Sequence, residues 1–238
     1  IANIALVLAV TALFFKLKIS QQTISIDFPF MIIVTVLFGL ILYYFKQINF
    51  VIGLFFIIII SFFSYFLISK SKNDDEVISH NINNEYNNTL RHNIVLLILG
   101  ILLLKFGADY LVDGAILIAN KLGVSDRVIA VSVIAIGTSL PELVASVIAA
   151  YRKESSLAIG NVIGSNIFNI LIVLGISSLI KTIKIEDYAI LNVDYLWMML
   201  IFIILGIFIY CSKNQQISRY QGGILLLCYV YYIFSSIV

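Results

Sequence analysis

Residues 137–142, GTSLPE, carry two hydroxyls, a proline and a carboxylate, yet they sit inside the apolar run VIAVSVIAIGTSLPELVASVIAA at 128–150. Pro141 has no N–H to offer the carbonyl of Gly137, and its ring pushes against that carbonyl, so a helix must break or kink here. The carbonyl so released needs protein, water or an ion to satisfy it at membrane depth. Thr138 and Glu142 are four residues apart and share a helix face, with Ser139 on the neighbouring ridge. Hydroxyl, carbonyl and carboxylate oxygens therefore converge, and all are hard donors.

A second such element is AIGNVIGSNIFNI at 158–170. Gly160 and Gly164 permit a helix to unwind or another backbone to approach. Ser165 and Asn169 are again four apart, and Asn161 and Asn166 can supply amide oxygens or cap loosened ends. No Lys or Arg lies between 128 and 151, so Glu142 has no nearby sequence partner. An unpaired carboxylate inside a membrane costs roughly 3 kcal/mol or more and marks a functional site by default. A cation resolves that cost. An all-oxygen set suits Ca2+ or Na+; zinc or copper would call for His or Cys, which these spans lack.

The elements that must position these residues are transmembrane helices. With 61% hydrophobic and 12% charged residues and a mean hydropathy of +1.07, the 238-residue chain is a polytopic all-α membrane protein. Apolar runs at 1–15, 30–46, 48–69, 93–119, 126–151, 156–180, 190–211 and 220–237 read as eight spans, the first of them short. The basic residues are scattered and form no nucleic-acid patch. Cys211 and Cys228 read as small hydrophobes. Lys105, Asp109 and Asp113 are spaced for an internal Lys–Asp pair.

An internal repeat organises the spans. IANIALVLAVTALF at 1–14 aligns without gaps on IFNILIVLGISSLI at 167–180, an offset of 166 that also lays the next two spans over the last two. Residues 1–69 read as the C-terminal part of a first repeat, with three helices, and 93–238 as a complete second repeat of five. The counterpart of 93–166 is expected upstream of Ile1. Five spans per repeat invert the second copy, the topology of many secondary transporters. Residues 70–92, rich in Asn, Ser and mixed charge and holding His80 and His92, read as a solvated linker. The linker side carries nine Lys and Arg residues in short connections against five on the other, so the linker is expected to be cytoplasmic, in a multi-pass protein of the cell membrane.

GTSLPE followed by GNVIGSNIFNI closely resembles the second alpha-repeat, here about 126–180, of the sodium/calcium exchangers in the calcium/cation antiporter superfamily. GADYLVDGAILIANKLGVSDRVIAVSVIAIGTS, from Gly107, fits the same pattern, and IANI resembles the end of a first alpha-repeat. The resemblance implies ten helices in two inverted repeats of five, about eight of them present here, with four ion sites at the midplane. It implies a secondary antiporter exchanging Na+ for Ca2+ by alternating access, with the ions as cargo, no organic cofactor and no enzymatic activity. Carried over position by position, Glu142 is the second of two acidic ligands. Thr138 and Ser139 offer hydroxyl or carbonyl oxygens, as does the carbonyl of Ala135. Ser165 and Asn169 are ligands from the partner helix, and Asn3 is the first-repeat counterpart of Asn169. Potassium-dependent relatives carry Asp at the position of Asn169, so the amide points toward potassium independence and a site that takes up no proton there. The bilayer and the two cations are the implied partners. Three other readings stand beside this one: a proton-coupled cation exchanger, a membrane hydrolase using Ser139 with Glu142 but lacking a His or Lys base, and a truncated chain without transport.

Overall fold

The computed structural model describes residues 1–75, 89–212 and 214–237. The chain is helical almost throughout, because backbone groups in hydrocarbon must find partners within their own segment. That constraint overrides the weak helix propensity of stretches such as Ile57–Ile60. The helices are α1 Asn3–Phe14, α2 Thr23–Phe45, α3 Phe50–Asp75, α4 Thr89–Lys121, α5 Asp126–Thr138, α6 Leu140–Tyr151, α7 Ser155–Ile180, α8 Ile190–Tyr210 and α9 Arg219–Ile237. All eight expected spans are present as helix, with α5 and α6 forming one broken span. Among the described residues, five helices are long and apolar enough to cross a membrane alone, and the α5–α6 pair makes a sixth. The protein is a multi-pass membrane protein. Residues 76–88 of the expected linker 70–92, His80 among them, lie outside the described residues; its flanks at 70–75 and 89–92 are helical.

Features recur along the chain at nearly constant spacing. Wide π-helical turns occupy Asn3–Leu8 and Asn169–Val173, whose starts are 166 residues apart, and Thr23–Asp27 and Ile190–Tyr195, whose starts are 167 apart. Two short strands, β1 Leu17–Lys18 and β3 Ile183–Lys184, are also 166 apart, and β2 Gln47–Ile48 and β4 Gln216–Ile217 are 169 apart. Lys46 and Gln215, the residues just before β2 and β4, both adopt left-handed backbone, φ 51° and 48°. Pairing crosses between the two sets. β1 runs antiparallel to β4, and β2 to β3.

Helix packing crosses in the same way. A Cβ on Gly222 of α9 would meet the Ala9 carbonyl at 2.8 Å and the Ala12 Cβ at 2.9 Å, so α9 lies directly on α1. A Cβ on Gly53 of α3 would meet the Gly175 carbonyl of α7 at 2.7 Å. Such small-residue contacts let backbones approach where lipid-exposed surface gives no hydrophobic drive. The centre is filled by Ile4, Leu8, Met31, Leu42, Phe56, Ile159, Ile163, Leu171, Ile201 and Phe202, all fully buried. By contrast, Ile94–Leu99 and Leu103 of α4 and Val51, Phe55 and Phe62 of α3 are exposed, as lipid-facing side chains are.

Two expectations are corrected. The segment 158–170 does not unwind at its glycines: Ser155–Phe168 is continuous α-helix, and the departure comes later, at the π turn Asn169–Val173. A helical glycine costs about 1 kcal/mol, less than an unsatisfied peptide group in lipid. The Lys105 pair with Asp109 or Asp113 is also missing from the ion pairs of the described residues, which belong to Arg127. Lys placed N-terminal to Asp at this spacing is the weaker orientation, opposed to the helix dipole.

Candidate cation site

The break falls where the proline demands it. α5 ends at Thr138, Ser139 sits at φ −92°, ψ −1°, and α6 starts at Leu140 with an axis turned by 41°. The Ser139 N–H turns back to the Ile136 carbonyl at 3.1 Å, tightening the last turn of α5. Gly137 has no room for a side chain because the Val112 methyl of α4 lies against it. Glu142 thereby falls in the first turn of α6, where the exposed N–H groups and the positive end of the helix dipole favour an anion.

A chain of polar groups from distant parts of the sequence leads to this carboxylate. The Ser165 hydroxyl of α7 donates to Glu142 Oε1 at 3.0 Å. The Asn3 amide of α1 donates to the Ser165 hydroxyl at 3.0 Å, and the Ser139 hydroxyl donates to Asn3 Oδ1 at 2.8 Å. Ser139–Asn3–Ser165–Glu142 is therefore a continuous hydrogen-bonded chain tying together residues 162 and 136 positions apart. It ends on an atom without a partner. Glu142 Oε2 is buried and, among the described residues, accepts no hydrogen bond. A buried carboxylate oxygen left bare is costly, since charges taken from water need pairing or a metal.

Beside this chain lies a cavity of about 410 Å³, lined by Asn3, Ala135, Thr138, Ser139, Asn166 and Asn169 among others. The seven expected ligand residues thus divide in two. Asn3, Ala135, Thr138, Ser139 and Asn169 border the cavity, while Ser165 stands one hydrogen bond behind it and Glu142 two. The Thr138 hydroxyl donates to the Ile134 and Ala135 carbonyls at 2.9 and 3.3 Å, so its oxygen lone pairs remain available. Asn169 opens the π turn of α7, as Asn3 opens that of α1. π turns of this kind often mark functional positions, because the extra residue leaves backbone groups loosely paired.

Asn161 and Asn166 act differently from the expected helix caps. Asn161 Nδ2 donates to the Ser146 hydroxyl at 3.0 Å and to the Glu142 carbonyl at 3.4 Å, bracing α7 against α6 directly behind the carboxylate. Asn166 Nδ2 donates to the Val162 carbonyl of its own helix at 2.8 Å. Ser146 was not singled out from the sequence, although its spacing one turn beyond Glu142 was the signal that could have found it. A further group carried no local signal: the Arg127 guanidinium bonds Asp187 and Asp194, both at 2.8 Å, and Tyr232 donates to Asp194 at 3.0 Å. These residues are 60 or more positions apart or on separate helices.

The chain is similar to known proteins. Residues 92–238 match the family described as sodium/calcium exchanger protein. CaxA of Alkalimonas amylolytica is 36% identical over 248 residues, covering 99% of this chain and 76% of CaxA. The sodium/calcium exchanger MaX1 of Methanosarcina acetivorans is 38% identical over 140 residues, which cover 59% of this chain and 39% of MaX1. The solved structure of the sodium/calcium exchanger from Methanococcus jannaschii superposes with a TM-score of 0.71 at 30% identity, over 98% of this chain and 71% of that one.

Proposed function

Because the chain belongs to the sodium/calcium exchanger protein family, whose members are membrane transporters and not enzymes, we propose that it exchanges Na+ for Ca2+ by alternating access, with Glu142 as its central ligand. The observation that carries this reading is the bare, buried Oε2 of Glu142 at the end of a hydroxyl and amide chain drawn from three helices. Its surroundings fit a hard cation. Ser165, Asn3 and Ser139 supply oxygens without a competing positive charge, and Thr138, the Ala135 carbonyl and Asn169 supply more along the adjoining cavity. A flexible set of this kind suits Ca2+, which takes about 6–8 oxygens, and also several Na+.

The exchange follows from electrostatics. A carboxylate at this depth cannot be left without a counter-charge while the protein changes its open side, so the switch occurs only with one Ca2+ or several Na+ in place. Competition for the same oxygens makes the exchange obligatory. The two sets of recurring elements, 1–69 and 93–238, are read as inverted repeats, one partial, that exchange roles between inward-open and outward-open forms. The crossed strand and helix pairings support that reading. With the linker side cytoplasmic, downhill Na+ entry drives Ca2+ out, and each net charge moved gains about 2.3 kcal/mol per 100 mV.

The test is uptake of radiolabelled Ca2+ by proteoliposomes holding the full gene product under an outward Na+ gradient. Glu142→Gln removes the charge and keeps the shape, and it should reduce uptake at least about a hundredfold, in line with loss of one charged ligand. Undiminished uptake would sink the assignment. Uptake driven by a pH gradient and indifferent to Na+ would instead make the coupling ion a proton.

A further inference from the structure

The cavity that Asn3, Ser139 and Asn169 border is lined by a second set of oxygen-bearing groups: Asp194 at the start of α8, and Tyr229 and Tyr232 on α9. Asp194 Oδ1 accepts from Arg127 Nη2 at 2.8 Å and from the Tyr232 hydroxyl at 3.0 Å. Arg127 is shared, since its Nη1 is taken by Asp187 at 2.8 Å. One guanidinium against two carboxylates leaves the cluster with an excess negative charge. The second oxygen of Asp194 accepts no hydrogen bond among the described residues. Tyr229 supplies an independent observation: it is only 3% exposed, lies one turn before Tyr232 against the same cavity, and its hydroxyl has no partner among the described residues. Buried hydroxyls are nearly always hydrogen-bonded, and one left over on a residue lining this cavity needs an explanation. A Tyr–Tyr pair packed for shape alone would be served as well by phenylalanine.

We propose that Asp194, with the hydroxyls of Tyr229 and Tyr232, forms a second cation-binding station in this cavity, which receives Na+ or Ca2+ before it reaches Glu142. The chemistry is that of hard cations: one carboxylate and two neutral oxygens, with water completing the shell. An arriving cation competes with Arg127 for Asp194, and Asp187 retains the guanidinium when Asp194 is drawn away. The station gathers ions electrostatically at the wall of a low-dielectric cavity, where an excess charge raises local cation concentration. This inference rests on the transport reading above, and the experiment separates the two.

The full gene product is reconstituted in proteoliposomes, and initial Ca2+ uptake is measured against Ca2+ concentration, with Ca2+ supplied from the Arg127 face. Asp194→Asn should raise the half-saturating Ca2+ about tenfold, more than it lowers the maximal rate, as expected when a steering charge is lost. Arg127→Gln should move it the other way, about threefold down, because it uncovers Asp194. The opposite signs are decisive. If both variants shift half-saturation in the same direction, Asp194 and Arg127 are merely a structural clasp and the station is overturned. Tyr229→Phe breaks no hydrogen bond among the described residues and should raise half-saturation about threefold, as loss of one weak neutral ligand would. No change in that variant overturns the station even if Asp194→Asn fails to assemble. Loss of uptake in Glu142→Gln, with half-saturation unmoved by the Asp194 and Tyr229 variants, would leave the exchanger reading standing and remove this one alone. Intact uptake in Glu142→Gln would remove the exchanger reading first.

Discussion

Glu142 and Asp194 are both carboxylates of membrane-spanning helices, and the fold handles them in opposite ways. Asp194 is given a full positive charge at 2.8 Å and a phenol at 3.0 Å, and its guanidinium partner is anchored again by Asp187. Glu142 receives a single neutral hydroxyl at 3.0 Å, a helix N-terminus, and nothing on Oε2. The difference is between a carboxylate paired with a guanidinium inside the protein and a carboxylate with no cationic partner among the described residues. A low-dielectric interior makes either charge costly unless a counter-charge is supplied. The Arg127 cluster ties α5, the 187 turn, α8 and α9 together, whereas on the proposed reading the bare carboxylate is balanced only by a bound cation.

That contrast is broken most directly by giving Glu142 a permanent partner. Ser165→Lys should abolish Na+-dependent Ca2+ uptake, a loss of about a hundredfold or more, because an ammonium occupies the place of the cargo. Retained uptake in that variant would show that Glu142 is not where Ca2+ binds. Next in size is a thermodynamic signature. Ca2+ at about 100 times its dissociation constant should stabilise the detergent-solubilised protein by about 2.7 kcal/mol, seen as a raised thermal midpoint. The shift should vanish in Glu142→Gln and persist in Asp194→Asn. A smaller effect belongs to the paired site. Arg127→Gln should lower the stability of the protein by about 1 kcal/mol in denaturant or thermal unfolding, since its two ion pairs are part exposed. If the loss matched that of a fully buried pair, the cluster would be more enclosed than its exposure indicates.

The smallest effect concerns pH. Asp187, in the turn between α7 and α8, is held below its ordinary 3.8 by the Ala189 N–H, and in lesser measure by Arg127. A depressed folded value means a contribution that is fully present above pH 3.8 and fades as pH falls through the folded value. Unfolding followed between pH 5 and pH 2 should therefore show a shallow loss of stability that Asp187→Asn removes.

Much of the architecture was legible in the residues. The positions of eight helical spans follow from hydropathy, and the break at 138–140 follows from Pro141, because neither depends on what packs nearby. The 166-residue offset was visible in Asn3 and Asn169, and it reappears in the π turns and strands. Gly160 and Gly164 misled for a physical reason. A glycine allows an unwound backbone, but only an external partner for the released peptide groups can make unwinding favourable, and the sequence does not say whether one is there. Lys105 misled likewise, since helical spacing brings charges within reach without making them meet.

By itself, the sequence determined that this is a membrane protein built of helices, that one of them must break, and that Glu142 lacks a cationic neighbour along the chain. Those conclusions depend on local covalent chemistry and on the cost of burying charge. Only the tertiary structure decided that Asn3, in a helix 136 residues before Ser139, closes the polar chain to Glu142. It alone decided that Arg127 serves Asp194 and not Glu142. Contacts between distant segments are set by how helices cross and which small residues let them approach. No spacing within a single helix records that geometry.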